Sequence, residues 1–305
     1  MITVVGSFNM DLFIEVPRFP APGETLFGKN FRRATGGKGA NQACALARLG
    51  ESAAIIGAVG QDAFGDEMLQ NLAAFGVDTT GVVRRTDTAS GTAVVTLDAR
   101  GENQIIVANG ANDTLSAADV TRQLPLIKNS RALITQLETP LESVEAALRA
   151  ARESGIPAIL NPAPHTPVPD AILGLCDWLI PNEIEAAKIS NLEITDTHSA
   201  ARAVVHIRKR TGCANILVTL GPNGAWLDTP KFAGHIPGFK VTAVDTVGAG
   251  DTFIGGFVTQ LLEHGDAHTA ARFGCAAAAI AVTRRGAQAS LPTKKEVTAF
   301  LENNS

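Results

Sequence analysis

The sequence predicts an α/β fold: one domain on a mostly parallel sheet, carrying a small β-rich insertion. Three observations predict it. Ile2–Val5 is an unbroken β-branched run ending at Gly6, the pattern of a strand covered on both faces. From about residue 132 onward, short apolar strands alternate with amphipathic helices, which implies parallel strands joined by right-handed crossovers. Between them, residues 81–108 read as strands with little helix, the mark of an antiparallel hairpin region.

Taken in order, Asp11 to Val16 alternate loosely and precede Pro17, Pro20 and Pro22, a short exposed strand followed by turns. TGGKGAN at 35–41 then opens an Ala-rich helix to about Leu49. Ala53 to Val59 is a second buried strand, and Asp62 to Phe75 an amphipathic helix with Gly76 placed to cap its end. Gly81 to Arg84, Gly91 to Leu97 and Asn103 to Ala108 are the strand-like pieces. Strands at 132–136, 158–160, 178–180 and 215–219 interleave with helices at 141–154, 183–190 and 199–210. Long helices follow at 251–263 and about 267–283. The insertion comprises about residues 9–33 and 91–111, within a single domain spanning 1–305.

Composition narrows the function. At 305 residues, 45% hydrophobic and 18% charged, the chain can bury a large core without disulfide or metal staples. The net charge of −4 provides no global basic field for nucleic acid or an anionic membrane. With no Tyr and only 5% aromatics, base-stacking platforms are scarce. Cys44, Cys176, Cys213 and Cys275 form no CxxC or Cys/His cluster and read as buried free thiols of a reducing compartment. No apolar stretch is long enough for a membrane helix. A cytoplasmic protein is expected.

The sharpest local signal is DTVGAGD at 245–251, ahead of a helix. A glycine turn feeding a helix start leaves backbone N–H groups free to hold an anion. Asp251 stands at that start, where it could take a proton from an attacking hydroxyl; an Asp there could equally be a plain cap. An anion hole beside a carboxylate base is what phosphoryl transfer to an alcohol needs. GGKGAN at 36–41 lacks the spacing of a P-loop or a dinucleotide fingerprint. It suits close backbone approach to a polyhydroxylated ligand, with Lys38 and Asn41 as donors, or else a capping turn with a solvated Lys. Asn9 and Asp11 lie two apart on an extended segment and so point the same way. Glu138, Asn182, Glu185 and the turn Thr219–Gly224 likewise follow strands. Polar turns thus converge on the sheet rim where α/β folds bind ligands.

These residues resemble the ribokinase-like sugar kinase family. The resemblance covers nearly the whole chain: GSFNMD at 6–11, PGET at 22–25, GGKGANQA at 36–43, QLE at 136–138, NPAP at 161–164, PNE at 181–183, TLGPNGAW at 219–226, DTVGAGDTF at 245–253 and AAAAIAVTRRGAQASLP at 276–292. It implies a three-layer α/β/α sandwich with a small β-sheet lid. It also implies ATP-dependent phosphorylation of a ribose-like sugar at its 5-hydroxyl. Asp251 matches the base, and Gly248, Ala249 and Gly250 the anion hole. Asn9, Asp11, Gly37, Lys38, Asn41 and Glu138 match sugar-binding positions. Asn182, Thr219, Leu220, Gly221, Pro222, Asn223, Gly224, Gly250, Asp251 and Cys275 match the nucleotide side. Asn182 and Glu185 match a motif tied to Mg²⁺ and phosphate. A potassium site is implied at Asp245, Val247, Ala281, Arg284, Gly286 and Ser290, mostly through backbone carbonyls.

Two positions depart from the pattern. Cys275 stands near the adenine where His or Asn is expected. Phe8 is bulkier than the expected small aliphatic, and either reshapes the sugar pocket or packs in the core. The resemblance also implies a homodimer formed by paired lids. An apolar stripe of Phe13, Ile14, Phe27 and Phe31 would be its interface, unless it packs on the protein's own core. Kinases of deoxyribose, fructose, ketodeoxygluconate or adenosine, and a catalytically silent sugar-binding protein, stand as alternatives.

Overall fold

A computed structural model describes residues 1–304. Its main sheet has nine strands. In chain order these are β1 (Ile2–Val5), β4 (Ala53–Gly60), β5 (Asp78–Arg85), β8 (Leu133–Thr135), β9 (Ala158–Leu160), β10 (Trp178–Leu179), β11 (Asn215–Thr219), β12 (Ala225–Asp228) and β13 (Ala233–Ile236). The spatial order is β13-β12-β11-β10-β9-β8-β1-β4-β5. All pairings are parallel except the antiparallel edge made by β11, β12 and β13.

Side-chain alternation divides the apolar residues into two cores, one on each face. Ile2, Val4, Ile55, Ile134, Ile159, Trp178 and Leu217 face one. Val5, Ile56, Leu133, Leu160, Leu179 and Val218 face the other. On the first face lie α1 (Lys38–Arg48), α2 (Ala63–Ala74), α9 (Ala249–His264) and α10 (Ala267–Ala281). The second is covered by α3 (Ala117–Arg122), α4 (Leu124–Lys128), α5 (Leu141–Glu153), α6 (Asp170–Leu173), α7 (Glu183–Ser190) and α8 (Thr197–Thr211). A last helix, α11 (Lys294–Glu302), packs on α10. The expected three layers are therefore present. Phe257 on α9 anchors the first core edge-on against Trp178, with ring centroids 4.9 Å apart; full burial of such a ring contributes about 2 kcal/mol.

The insertion is a separate four-stranded sheet in the order β3-β2-β6-β7. It comprises β2 (Asn9–Glu15), β3 (Lys29–Gly36), β6 (Thr92–Leu97) and β7 (Asn103–Ala108). Two antiparallel hairpins are joined by parallel pairing of β2 with β6. The strand at 81–84 corrects the sequence expectation. It belongs to β5, which pairs parallel with β4 at the edge of the main sheet. The 12-residue helix α2 supplies the crossover that such a pairing needs. Strand β3 was not foreseen, because KNFRRATG is mostly exposed and shows no alternation. The helices at 117–128 and the edge hairpin β12–β13 also escaped the sequence reading.

Phe8 is fully buried in the first core, and a Cβ on Gly57 would meet its ring at 2.4 Å. Its bulk is thus taken up by packing. The lid stripe divides: Phe13 is buried under the Arg32 guanidinium, 3.7 Å from its ring, whereas Phe27 is 95% and Phe31 64% exposed.

The turn into α1 fixes how closely that helix approaches β1. A Cβ on Gly39 would meet the Ser7 nitrogen at 2.4 Å and the Gly6 carbonyl carbon at 2.5 Å. Both are backbone atoms, so no side chain can swing away. Gly39→Ala should cost about 2–3 kcal/mol or more, read as a lowered midpoint of denaturant unfolding.

Candidate active site

The starts of α1, α7 and α9 and the ends of β9, β10 and β11 meet over the rim of the main sheet. A cavity of about 220 Å³ there is lined by Lys38, Asn161, Asn182, Glu185, Thr219, Thr246 and Gly248–Asp251, with Ala163, Ile180 and Ile254 as its apolar wall. Helix α9 forms its floor. The cap of α9 is Gly248, in the left-handed region at φ 76°, with no side-chain cap bond. The Ala249 N–H turns back to the Thr246 carbonyl at 3.2 Å. The N–H groups of Gly250 and Asp251 therefore lie in the first turn, where a helix has no partner of its own to offer. A Cβ on Gly250 would meet nothing within 4 Å, so the space above this turn is open.

Asp251 is not the cap. Its carboxylate is buried, with Oδ2 accepting from Asn41 Nδ2 at 3.0 Å and Oδ1 accepting from Gln42 Nε2 at 2.9 Å. Burial pushes its pKa up, while the Lys38 ammonium and the two amides pull it back, with a net upward shift. Lys38 is not a solvated surface lysine. Burial works against its charge, but Asp251, Glu138 and Glu185 outweigh that and hold it protonated. Glu185 is raised chiefly by burial. It also closes a reciprocal capping box with Asn182 at the start of α7.

The expected sugar-side residues gather on the lid side of Lys38. The Glu138 carboxylate accepts from the Lys38 backbone N–H at 2.9 Å and from the Ser7 hydroxyl at 2.5 Å. Gly37 holds φ 89°, and a Cβ on it would strike the Phe8 backbone at 2.8 Å, so only glycine fits. Asn9 offers less acceptor capacity than its position suggested. Its Oδ1 already accepts from Asn112 Nδ2 at 3.0 Å, which leaves its amide N–H groups to face a ligand. Burial first, and then Glu138, raise the Asp11 pKa to about 7.

On the nucleotide side, Asn182 and Thr219 line the cavity. Gly221, Pro222 and Asn223 are exposed in the turn after Thr219. Leu220 is 4% and Cys275 6% exposed, and both pack in the apolar cores. Neither lines the cavity, because apolar neighbours on α10 and β11 take up their side chains. Gly224 is buried against the Ile236–Gly238 backbone. At the expected potassium site, Asp245 accepts from the backbone N–H of Val247 at 3.1 Å and of Gly286 at 2.8 Å, tying the two loops together. Arg284 pairs its guanidinium with Glu296 and also donates Nη1 to the Ser290 carbonyl at 3.5 Å. Ala281 and Ser290 close the same turn region, their carbonyls accepting from Arg284. One carboxylate with backbone carbonyls is an oxygen donor set suited to a hard cation.

Sequence reading missed the amide network around Asp251. Gln42, Gln136, Asn161 and Gln288 are buried and hydrogen-bonded to one another or to Asn41. It also missed Asn112, which clasps both backbone groups of Phe8. Gln42 lay inside the quoted GGKGANQA motif. Gln136, Asn161 and Gln288 likewise lie inside the quoted QLE, NPAP and AAAAIAVTRRGAQASLP motifs, which assigned them no role, whereas Asn112 carries no local signal.

A helix-start anion site beside a buried carboxylate, under a small β lid, is the equipment of a kinase acting on a small polyol. The chain belongs to the pfkB family of carbohydrate kinases, whose model matches residues 1–294. It is 44% identical to a ribokinase of Haemophilus influenzae, over 99% of this chain and 98% of the relative. It is 37% identical to a deoxyribokinase of Salmonella typhi, over 99% of both. Among solved structures it resembles a ribokinase of Arabidopsis thaliana complexed with ribose and ATP, with TM-score 0.92, 32% identity and coverage of 99% and 98%.

Asp11 makes folding stability depend on pH. Its pKa in the folded state, about 7, lies above the ordinary 3.8. Its contribution is therefore full below pH 3.8 and is lost as pH rises through 7. Asp11→Asn should raise the melting temperature most at pH 8, where wild type buries the charge, and by less at pH 5. Thermal scans of both proteins at the two pH values check this.

Proposed function

We propose that this carbohydrate kinase phosphorylates D-ribose at its 5-hydroxyl, with ATP as donor. The observation that carries the reading is the buried Asp251 carboxylate at the open first turn of α9, with Lys38 and the lid-side polar groups in front of it. The ribokinase relatives and the ribose- and ATP-bound neighbour supply the choice of sugar and donor.

In this mechanism the sugar lies between the lid and α1. Asp11 and Glu138 accept from its hydroxyls, and Asn9 and Asn41 donate to it. Closing the lid excludes water. Asp251 takes the 5-hydroxyl proton as that oxygen attacks the γ-phosphorus in line. The first-turn N–H groups of α9 and the Lys38 ammonium stabilise the charge that builds on the transferring group. Asn182, Thr219 and the turn to Gly224 border the nucleotide. Asn182 and Glu185 would hold Mg²⁺, which would supply neutralisation of the phosphate charge. Asp245 and the carbonyls of Val247, Ala281, Arg284, Gly286 and Ser290 would hold K⁺, which would supply a fixed positive charge. The protein works in the cytoplasm as a homodimer, its two lids meeting through Phe27, Phe31 and Ile106, which are 95%, 64% and 73% exposed.

Asp251→Asn should lower kcat by about 10²- to 10⁴-fold and leave ribose binding largely intact by calorimetry. Near-normal turnover would overturn the assignment of the base.

ADP release with MgATP, with and without potassium, over ribose, deoxyribose, fructose, ketodeoxygluconate and adenosine tests the substrate. Ribose should turn over best, and potassium should raise its rate. Faster turnover of deoxyribose, in line with the deoxyribokinase relative, would keep the chemistry and change the sugar.

A further inference from the structure

We infer that Gln42 is the positioning residue for Asp251: its side-chain amide fixes the carboxylate that takes the sugar proton. The inference rests on the reading of Asp251 as base. Gln42 is fully buried and does not itself line the cavity; it reaches it only through Asp251 and Asn161. Its Nε2 donates to Asp251 Oδ1 at 2.9 Å. Its Oε1 accepts from Gln136 Nε2 at 2.7 Å. Asn161 Oδ1 lies 3.3 Å from the same Nε2, and Asn161 is itself oriented by donating to the Ile180 carbonyl at 2.9 Å. A flipped Gln42 amide would set oxygen against the Asp251 carboxylate and N–H against N–H at Gln136. The donor is thus locked onto the base from two sides.

The surroundings argue for a role beyond packing. Gln136 Oε1 is buried with no partner among the described residues, so the network leaves one acceptor unpaired. Such groups are rare and call for an explanation. Turning Gln136 over would satisfy neither side, because its amide must donate to Gln42. Asn41 holds the other Asp251 oxygen and is itself held by Gln288 Nε2 at 3.0 Å. Both carboxylate oxygens are therefore pinned by consecutive residues of α1, and the rotation of Asp251 is set by the helix that also carries Lys38.

The charged groups facing Asp251 are Lys38 from α1, Glu138 from the loop after β8 and Glu185 from α7. None of them bonds to Gln42. Removing the Gln42 donor takes one hydrogen bond from the ionised form of the base and leaves those charges in place.

The test is the pH profile of kcat at saturating ribose and MgATP. Gln42→Met should move the acid limb up by about one pH unit and lower kcat by about tenfold or more, with the KM for ribose nearly unchanged. Gln136→Met, which does not touch Asp251, should move the limb the same way by less. In an Asp251→Asn background, Gln42→Met should lower the residual rate no further. A folded Gln42→Met with the wild-type profile overturns the inference while an inactive Asp251→Asn keeps the base. If Gln42→Met does not fold, an unmoved limb in Gln136→Met overturns it instead. Near-normal turnover of Asp251→Asn removes the base reading and this inference together.

Discussion

The arrangement depends on offsetting the cost of burying one carboxylate away from water. Asp251 is buried at the start of α9, where burial alone would neutralise it. It is sustained by the Lys38 ammonium and by amide donors on both oxygens. All three partners come from five consecutive residues, Lys38 to Gln42, of a single helix. The packing of α1 on α9 is therefore an electrostatic requirement as well as a hydrophobic one.

That requirement explains the glycines around α1 and α9. Gly39 lets α1 touch the backbone at the end of β1. Gly255 does the same on α9, where a Cβ would sit 2.6 Å from the Ala45 side chain on α1. Small residues at both contacts bring the two helices near enough for Asn41 and Gln42 to reach across. A larger residue at either would push the amides off the carboxylate, so helix packing and base geometry are one constraint.

The lid obeys a different logic. Its β2 strand starts at Asn9, directly after the β1 turn, and its β3 strand ends at Gly36, directly before α1. The lid sheet is thus continuous in the chain with the segments that carry Asp11, Gly37 and Lys38. Asp11 gains from this. Facing Glu138 in a half-buried site, it resists ionisation, and hydroxyl donors from a sugar would stabilise the charge that the empty site disfavours.

The sequence by itself determined the α/β class, the parallel strands with their helical crossovers, the two glycine turns and the rim on which polar residues converge. These are local properties: hydrophobic period, β-branching, and glycine where a helix begins. The same local signals placed Asp251, Lys38, Asn41, Glu138, Asn182 and Glu185 at one site, because each follows a strand or opens a helix. Tertiary structure alone decided what each does there. It put β5 in the main sheet, since strand partnership is set by the crossover and not by the strand's own residues. It withdrew Cys275 and Leu220 into the cores and gave Asn9's oxygen to Asn112. It also assembled Gln42, Gln136, Asn161 and Gln288 around the base. Those four residues lie as far as 246 positions apart. A buried amide is recognisable only once its partner, contributed by a distant strand or helix, stands within hydrogen-bond reach.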